Sequence, residues 1–145
     1  MTVKMIQYVA IVSLFSILLV VGCTVARGVF NSGVIRELTA NPDGERARKV
    51  MLLTLPSGKA IPVNYLREDQ NVYAGADFPW WRELRGDGGE VTVLIRGQTL
   101  EGHGQAIEGD SALRTSVFEK LRPTAPKWTG TLVEIVLDEV HQSQN

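Results

Sequence analysis

Residues Ala60–Gly97, AIPVNYLREDQNVYAGADFPWWRELRGDGGEVTVLIRG, read as strand, turn, strand, short helix and strand, with two adjacent tryptophans opening the helix. The segments AIPVNYL, NVYAGA and EVTVLIRG are rich in β-formers and bounded by Gly, Pro, Asn or Asp, which is the pattern of short strands. Pro79 suits a first helical turn, and the helix runs to Arg85 before the Gly86-Asp87-Gly88-Gly89 loop. This order sets aromatic faces and arginines beside a small sheet, an arrangement that suits a flat anionic ligand better than a plain core.

Outward from this stretch the strand pattern continues, with VMLLTL before it and TLEGHGQAIE and TLVEIVLDEV after it. Six strands of this length predict a mainly β domain, a closed or nearly closed barrel with two or three short helices. Asp110 can cap a helix that carries Leu113, Val117, Phe118 and Leu121 on one face and ends before Pro123; it is expected to cover one side or end of the barrel. Upstream, Asn31–Leu38 can form a short helix, stopped by the turn signal Asn41-Pro42-Asp43-Gly44.

Met5–Val21 is almost wholly apolar, interrupted only by Gln7, Tyr8, Ser13 and Ser16, with Lys4 in front. Two readings of this membrane segment stand side by side. In one, Val20-Val21-Gly22-Cys23 is a lipobox and Cys23 becomes the lipidated N-terminus of a lipoprotein. In the other, the apolar run continues through Thr24, Val25 and Ala26 to Arg27 and approaches the ~20 residues of a transmembrane helix. The expected organisation is then an anchor or lipoprotein signal over 1–27, a connecting segment with a short helix over 28–48, the barrel domain over 49–140 and a polar tail over 141–145. The expected localisation is the membrane, by a single-pass or a lipid anchor.

The chain has 145 residues, a formal charge of −1 and one cysteine. The scattered arginines give no field for nucleic acid. A single cysteine excludes an intrachain disulfide and a cysteine-based zinc site, and His103 and His141, far apart in sequence, make no metal site. Gly102, Gly104 and Gly109 sit inside a strand pattern with neither a P-loop nor a dinucleotide-binding context, so they are read as bulges.

Two motifs bear on chemistry. Leu55-Pro56-Ser57-Gly58-Lys59 is a hairpin turn that needs no ligand, or a small anion cradle made of Ser57 Oγ, exposed amides and the Lys59 ammonium. Trp80 and Trp81, at consecutive α-helical positions, point about 100° apart, so one ring packs and the other faces a groove or a membrane interface. An indole beside Arg82 offers a stacking wall and a charge-assisted donor for a planar ring bearing phosphate.

LLTLPSGKAIPVNYL and WWRELRG followed by VTVLIRG resemble the deazaflavin-dependent nitroreductase and quinone reductase family, small split β-barrel proteins related to FMN-binding oxidoreductases; the likeness covers roughly Phe30 to Val140. The resemblance implies a cofactor pocket made by Ser57, Gly58, Lys59, Ala74, Gly75, Ala76, Trp81 and Arg82. The cofactor would be FMN or a deazaflavin coenzyme of the F-420 type, the reaction hydride transfer to a quinone, nitroaromatic or similar small-molecule electron acceptor, and the assembly a homodimer. Two departures stand out: Ala60-Ile61-Pro62 follows the turn where many members carry an arginine, and Ser116–Trp128 holds no tyrosine. The alternative function is a non-catalytic, membrane-anchored binding module for flavin, haem or a lipophilic ligand.

Overall fold

The structure, a computed structural model, describes residues 13, 32–109, 111–126 and 129–138. The chain divides into two compact units, Met1–Val34 and Ile35–Asn145. The anchor expected over 1–27 with Cys23, Ser13 aside, and the tail over 141–145 lie outside the described residues. Among the described residues no helix is long and apolar enough to cross a membrane.

A first helix, α1, covers 32–40 and ends where the turn signal placed the stop. Gly44 N donates to Asn41 O at 3.1 Å, closing the turn. Six strands follow: β1 (Val50–Thr54), β2 (Ala60–Glu68), β3 (Asn71–Ala76), β4 (Gly89–Ile95), β5 (Gln98–Ile107) and β6 (Thr131–Leu137). They close into a barrel in the order β1-β2-β3-β6-β5-β4, and every neighbouring pair is antiparallel. Tight hairpins join β1 to β2, β2 to β3 and β4 to β5. A 3-10 helix, η1 (Pro79–Leu84), connects β3 to β4, and an α-helix, α2 (Ala112–Leu121), connects β5 to β6.

Strand alternation sends every second residue inward, so Met51, Leu53, Val72, Val93, Val133 and Ile135, each 0% exposed, form the barrel core. The inward residues of β5 are small: Gly102, Gly104 and Ala106 are buried. They are not bulges, because β5 keeps one continuous register with β4 from Gly104 to Gln98 and with β6 from Gly102 to Ile107. Close packing explains them instead. A Cβ on Gly102 would lie 2.5 Å from Val136 O, and one on Gly104 would lie 3.2 Å from a Leu84 methyl. The space beside Gly104 admits Leu84, which is 0% exposed within the barrel core.

Outside the barrel, α2 lies on β2 and β3. Val117 and Phe118 pack with Tyr73 and Leu132, and Leu66, Ile107 and Leu121 border this second cluster. Ser111 caps the helix by accepting from Arg114 N at 3.0 Å, one residue after the cap expected at Asp110. Leu113 is 38% exposed, and Arg114, 7% exposed, takes the place expected for it. The spacing Arg114, Val117, Phe118, Leu121 follows the helical period, and the arginine is tolerated because its guanidinium donates to Gly130 O at 3.1 Å and lies 4.8 Å from the Phe118 ring centroid.

Leu84→Ala empties the space beside Gly104 and is expected to cost about 2–5 kcal/mol of stability, seen as a lower midpoint in chemical denaturation.

Candidate functional site

The η1 segment is a 3-10 helix, three residues per turn, which changes the expected disposition of its tryptophans. At that period Trp81 and Leu84 share a face, and Trp80 stands a third of a turn away. Both indoles are half-buried and both pack against the barrel core, so neither is left wholly to a groove. The exposed aromatic is Phe78, at 63%. The Trp81 ring has the guanidinium carbons of Arg85 and Arg82 at 5.2 and 5.9 Å, and Arg85 is held by Glu108 through two 2.8 Å hydrogen bonds.

Where β2 and β3 meet η1 and the end of α2, a cleft of about 250 Å³ opens. Pro62, Val63 and Asn64 of β2 form its floor with Gly75 of β3; Phe78 and Trp80 supply aromatic walls; Leu121, Arg122 and Asp77 complete the rim. Arg122 is the centre of the rim. Its guanidinium donates to Asp77 Oδ1 at 2.7 Å and to the Thr129 carbonyl, and its carbon lies 4.1 Å from the Phe118 ring centroid. Gly75 leaves room for this approach, since a Cβ there would sit 3.3 Å from the guanidinium carbon, tighter than an ordinary contact. Arg122 Nε is buried and has no hydrogen-bond partner, an unmet donor in a half-built polar rim.

Of the residues expected to hold a cofactor, Gly75 alone lines this cleft. Ala74 and Ala76, 0% and 1% exposed, face the barrel core because β-strand neighbours alternate across the sheet. Ser57, Gly58 and Lys59 are exposed in the β1–β2 turn, where Gly58 takes φ 82°. The Ser57 amide donates to Glu83 Oε2 at 3.2 Å, so a carboxylate of η1 already sits on one donor of the expected anion cradle. That contact joins the turn to η1, and with it Lys59 and Arg82 stand exposed at the same end of the barrel. Trp80 enters the sequence reading as one of two rings beside Arg82, with Trp81 taken as the cofactor-binding one, whereas Asn64, Asp77, Phe78 and Arg122 carry no expectation for the site. Phe78 and Trp80 lie within the Ala60–Gly97 stretch, whereas Arg122 follows a helix end remote in sequence and carries no local signal.

At about 250 Å³ the cleft is too small for a whole nucleotide, given the ~300–1,000 Å³ of pockets that enclose drug-sized ligands; Trp80 and Phe78 line it as the aromatic groups, with Asn64 and the Arg122–Asp77 pair as the polar ones. Within the cleft the Arg122 charge is already matched by Asp77. A phosphate therefore needs a cation outside the cleft.

Comparison with known proteins bears on the fold. No family model matches the chain, and no curated protein matches it. Among solved structures, a putative pyridoxamine 5'-phosphate oxidase from Listeria innocua superposes with a TM-score of 0.51 at 19% identity, over 63% of this chain and 85% of that one. HutZ, the haem storage protein of Vibrio cholerae, gives 0.46 at 13% identity, over 63% of this chain and 83% of that one. An FAD-binding protein from Mesorhizobium loti gives 0.43 at 16% identity, over 72% and 85%. The first likeness shows the fold: the closed six-stranded antiparallel barrel of this chain is similar to the split barrel of that structure.

Beside η1, His103 lies between two acceptors, with Nδ1 2.9 Å from Glu90 Oε1 and Nε2 2.6 Å from the Asp87 carbonyl. A neutral imidazole donates through one nitrogen only, so satisfying both requires the imidazolium. The hydrogen bond to Glu90, then that to Asp87, raises its pKa above the ordinary value. Because the folded value is the higher one, this stabilisation is complete below the unfolded pKa of about 6.5 and is lost as pH rises through the folded value. Among the described residues no group of three metal-ligating side chains occurs. In an NMR titration the His103 ring is expected to change protonation above about 6.5, and Glu90→Gln to move that transition downward.

Proposed function

We propose that the cleft between β2, η1 and α2 holds the ring of a flavin or deazaflavin, FMN or a coenzyme of the F-420 type, and that the chain is a membrane-anchored reductase. The observation that carries this reading is the joining of two aromatic walls, the Asn64 amide and the Arg122–Asp77 edge in one small cleft of a split barrel. The bound cofactor supplies hydride transfer to a quinone, nitroaromatic or similar acceptor. The chain's own residues do the rest. Trp80 and Phe78 cover the ring, Asn64 and Asp77 accept from its imide edge, and Arg122 donates to its carbonyl oxygens. Lys59 and Arg82, exposed at the same end of the barrel, take the phosphate-bearing chain, with Ser57, Gly58 and Trp81 beside them. No protein nucleophile is needed.

The anchor over 1–27, whether a single-pass helix or a lipid on Cys23, sets such a reductase beside lipophilic quinones. A homodimer is part of the reading, as the resemblance to split-barrel reductases implies. The alternative, a binding module for flavin, haem or a lipophilic ligand, draws support from the charge matching of Arg122 by Asp77, which leaves the cleft itself without a net charge for a phosphate.

Fluorescence-quench titrations of the full chain in non-ionic detergent with FMN, the deazaflavin coenzyme and haem are expected to show micromolar or tighter binding of one of the first two, followed by turnover with a quinone. Trp80→Ala is expected to weaken binding about tenfold, the worth of one stacked aromatic at ~1.4 kcal/mol. Lys59→Ala and Arg82→Ala are each expected to cost about 1–3 kcal/mol. Unchanged affinity in those two removes the phosphate assignment while leaving the ring site to Trp80. Failure of both flavins, with haem bound, replaces the reductase by the binding module.

A further inference from the structure

The opposite end of the barrel carries a larger cavity, about 600 Å³, which the proposed reductase does not use. Three arginines line it, Arg48 ahead of β1, Arg67 near the end of β2 and Arg96 in the β4–β5 turn, together with Tyr65 and Gln98; Asp43 is the one acidic residue on its wall. These groups come from separate elements. Tyr65 donates its hydroxyl to the Ala47 carbonyl at 3.1 Å, and Arg67 Nε donates to the Asp69 carbonyl at 3.1 Å. Both walls are therefore held by hydrogen bonds to the main chain. Burial raises the Tyr65 pKa, and the charges of Arg96 and Arg67 oppose that rise, which places both guanidiniums in the field of this phenol.

Arg96 departs from what its turn demands. Arg96 and Gly97 form the two-residue tip between β4 and β5, with φ 47° and 78°. Two positive φ values favour Asn, Asp or Gly at the first position, and a long side chain there is strained. Non-glycine residues held in such conformations gather at ligand sites, where the side chain is worth its backbone cost. The ion pair that Arg96 makes is too weak to be that reason. Arg96 Nη2 lies 3.0 Å from Asp43 Oδ1, but the Asp43 side chain is 82% exposed and the Arg96 side chain 52%, so water screens the pair. Arg48 makes no ion pair among the described residues.

We infer that this arginine-walled cavity is a second ligand site, which takes a phosphate group carrying more than one negative charge or presented by an anionic lipid headgroup. Guanidinium forks match phosphate oxygens in paired hydrogen bonds. The Gln98 amide adds a neutral donor, and the Tyr65 ring gives the site an apolar side. The inference stands apart from the proposed cofactor cleft, which lies at the other end of the barrel and shares none of these residues.

The test uses the full chain in non-ionic detergent at constant ionic strength, with inorganic pyrophosphate as one probe and short-chain phosphatidylglycerol, against phosphatidylcholine, as the other. Binding is followed by calorimetry and by the shift in Tm. The expected result is a rise in Tm with at least one anionic probe and about tenfold weaker binding in Arg67→Gln and Arg48→Gln. Arg96→Gly is the decisive variant, because glycine suits the turn. Its Tm without ligand is expected to equal or exceed that of the parent while the ligand-induced rise disappears. Pyrophosphate binding assigns a free phosphate ligand, and a response to phosphatidylglycerol alone assigns a headgroup. The inference is overturned if neither probe binds, if Arg96→Gly and Arg67→Gln keep full affinity, or if Arg96→Gly lowers Tm without ligand, which would make Arg96 a structural residue.

Discussion

Leu84 enters the barrel beside a strand whose inward face has been reduced to Gly102, Gly104 and Ala106, and much of the molecule follows from that contact. A Cβ at 104 would already press on a Leu84 methyl at 3.2 Å and on Val91 at 3.3 Å, so a larger side chain competes with Leu84 for the same space. With Leu84 seated, the rest of η1 has little freedom, because a 3-10 helix of six residues is fixed in rotation by one buried side chain. Trp81 then falls on the face it shares with Leu84, Trp80 and Phe78 fall over the outer face of β3, and Glu83 reaches the Ser57 amide. Hydrophobic burial thus sets the position of polar and aromatic groups that have no strong mutual attraction of their own.

The outer surface of the barrel is organised around arginines in a similar way. Arg114 and Arg122, two turns apart on α2 and its C-terminal extension, both lie within cation–π distance of Phe118 and both donate to the Thr129 carbonyl. They fasten the segment before β6 against the helix. Arg122 reaches further, across Gly75 to Asp77, and so links the last turn of the helix to the start of η1. The cleft rim is a by-product of packing that would be needed in any case to hold α2 on the sheet. Its orphan Nε shows that this packing leaves one donor unmet.

The two ends of the barrel differ in kind. The η1 end is aromatic and nearly charge-neutral where the cleft opens, and the other end is basic. Hairpin topology brings this about: the β2–β3 and β4–β5 tips, with Asp69 and Arg96 at positive φ, both project at the basic end. The β1–β2 turn projects at the other end, with η1 folded against it. A chain of near-zero net charge therefore carries a local positive field that its composition hides.

The sequence by itself determined the local elements. Alternation and turn residues placed all six strands to within a few residues, Pro79 placed the start of η1, and Asn41–Gly44 placed the end of α1. What local patterning could not express was which side chains meet. Ala74 and Ala76 lie inward and Gly75 outward only because β3 pairs with β6 in one register, and a one-residue slip would exchange them. The glycines of β5 carry a bulge pattern in sequence, but in the fold Gly104 makes room for Leu84 and Gly102 for the backbone of β6, both remote from them in sequence. Arg122 joined the cleft through contacts to residues 45 positions away, and Arg48, Arg67 and Arg96 became neighbours only when β1 closed the barrel against β4. Local structure follows from short-range sterics and period, which a sequence states directly; the sites follow from closure of the barrel, a long-range constraint that no single segment carries.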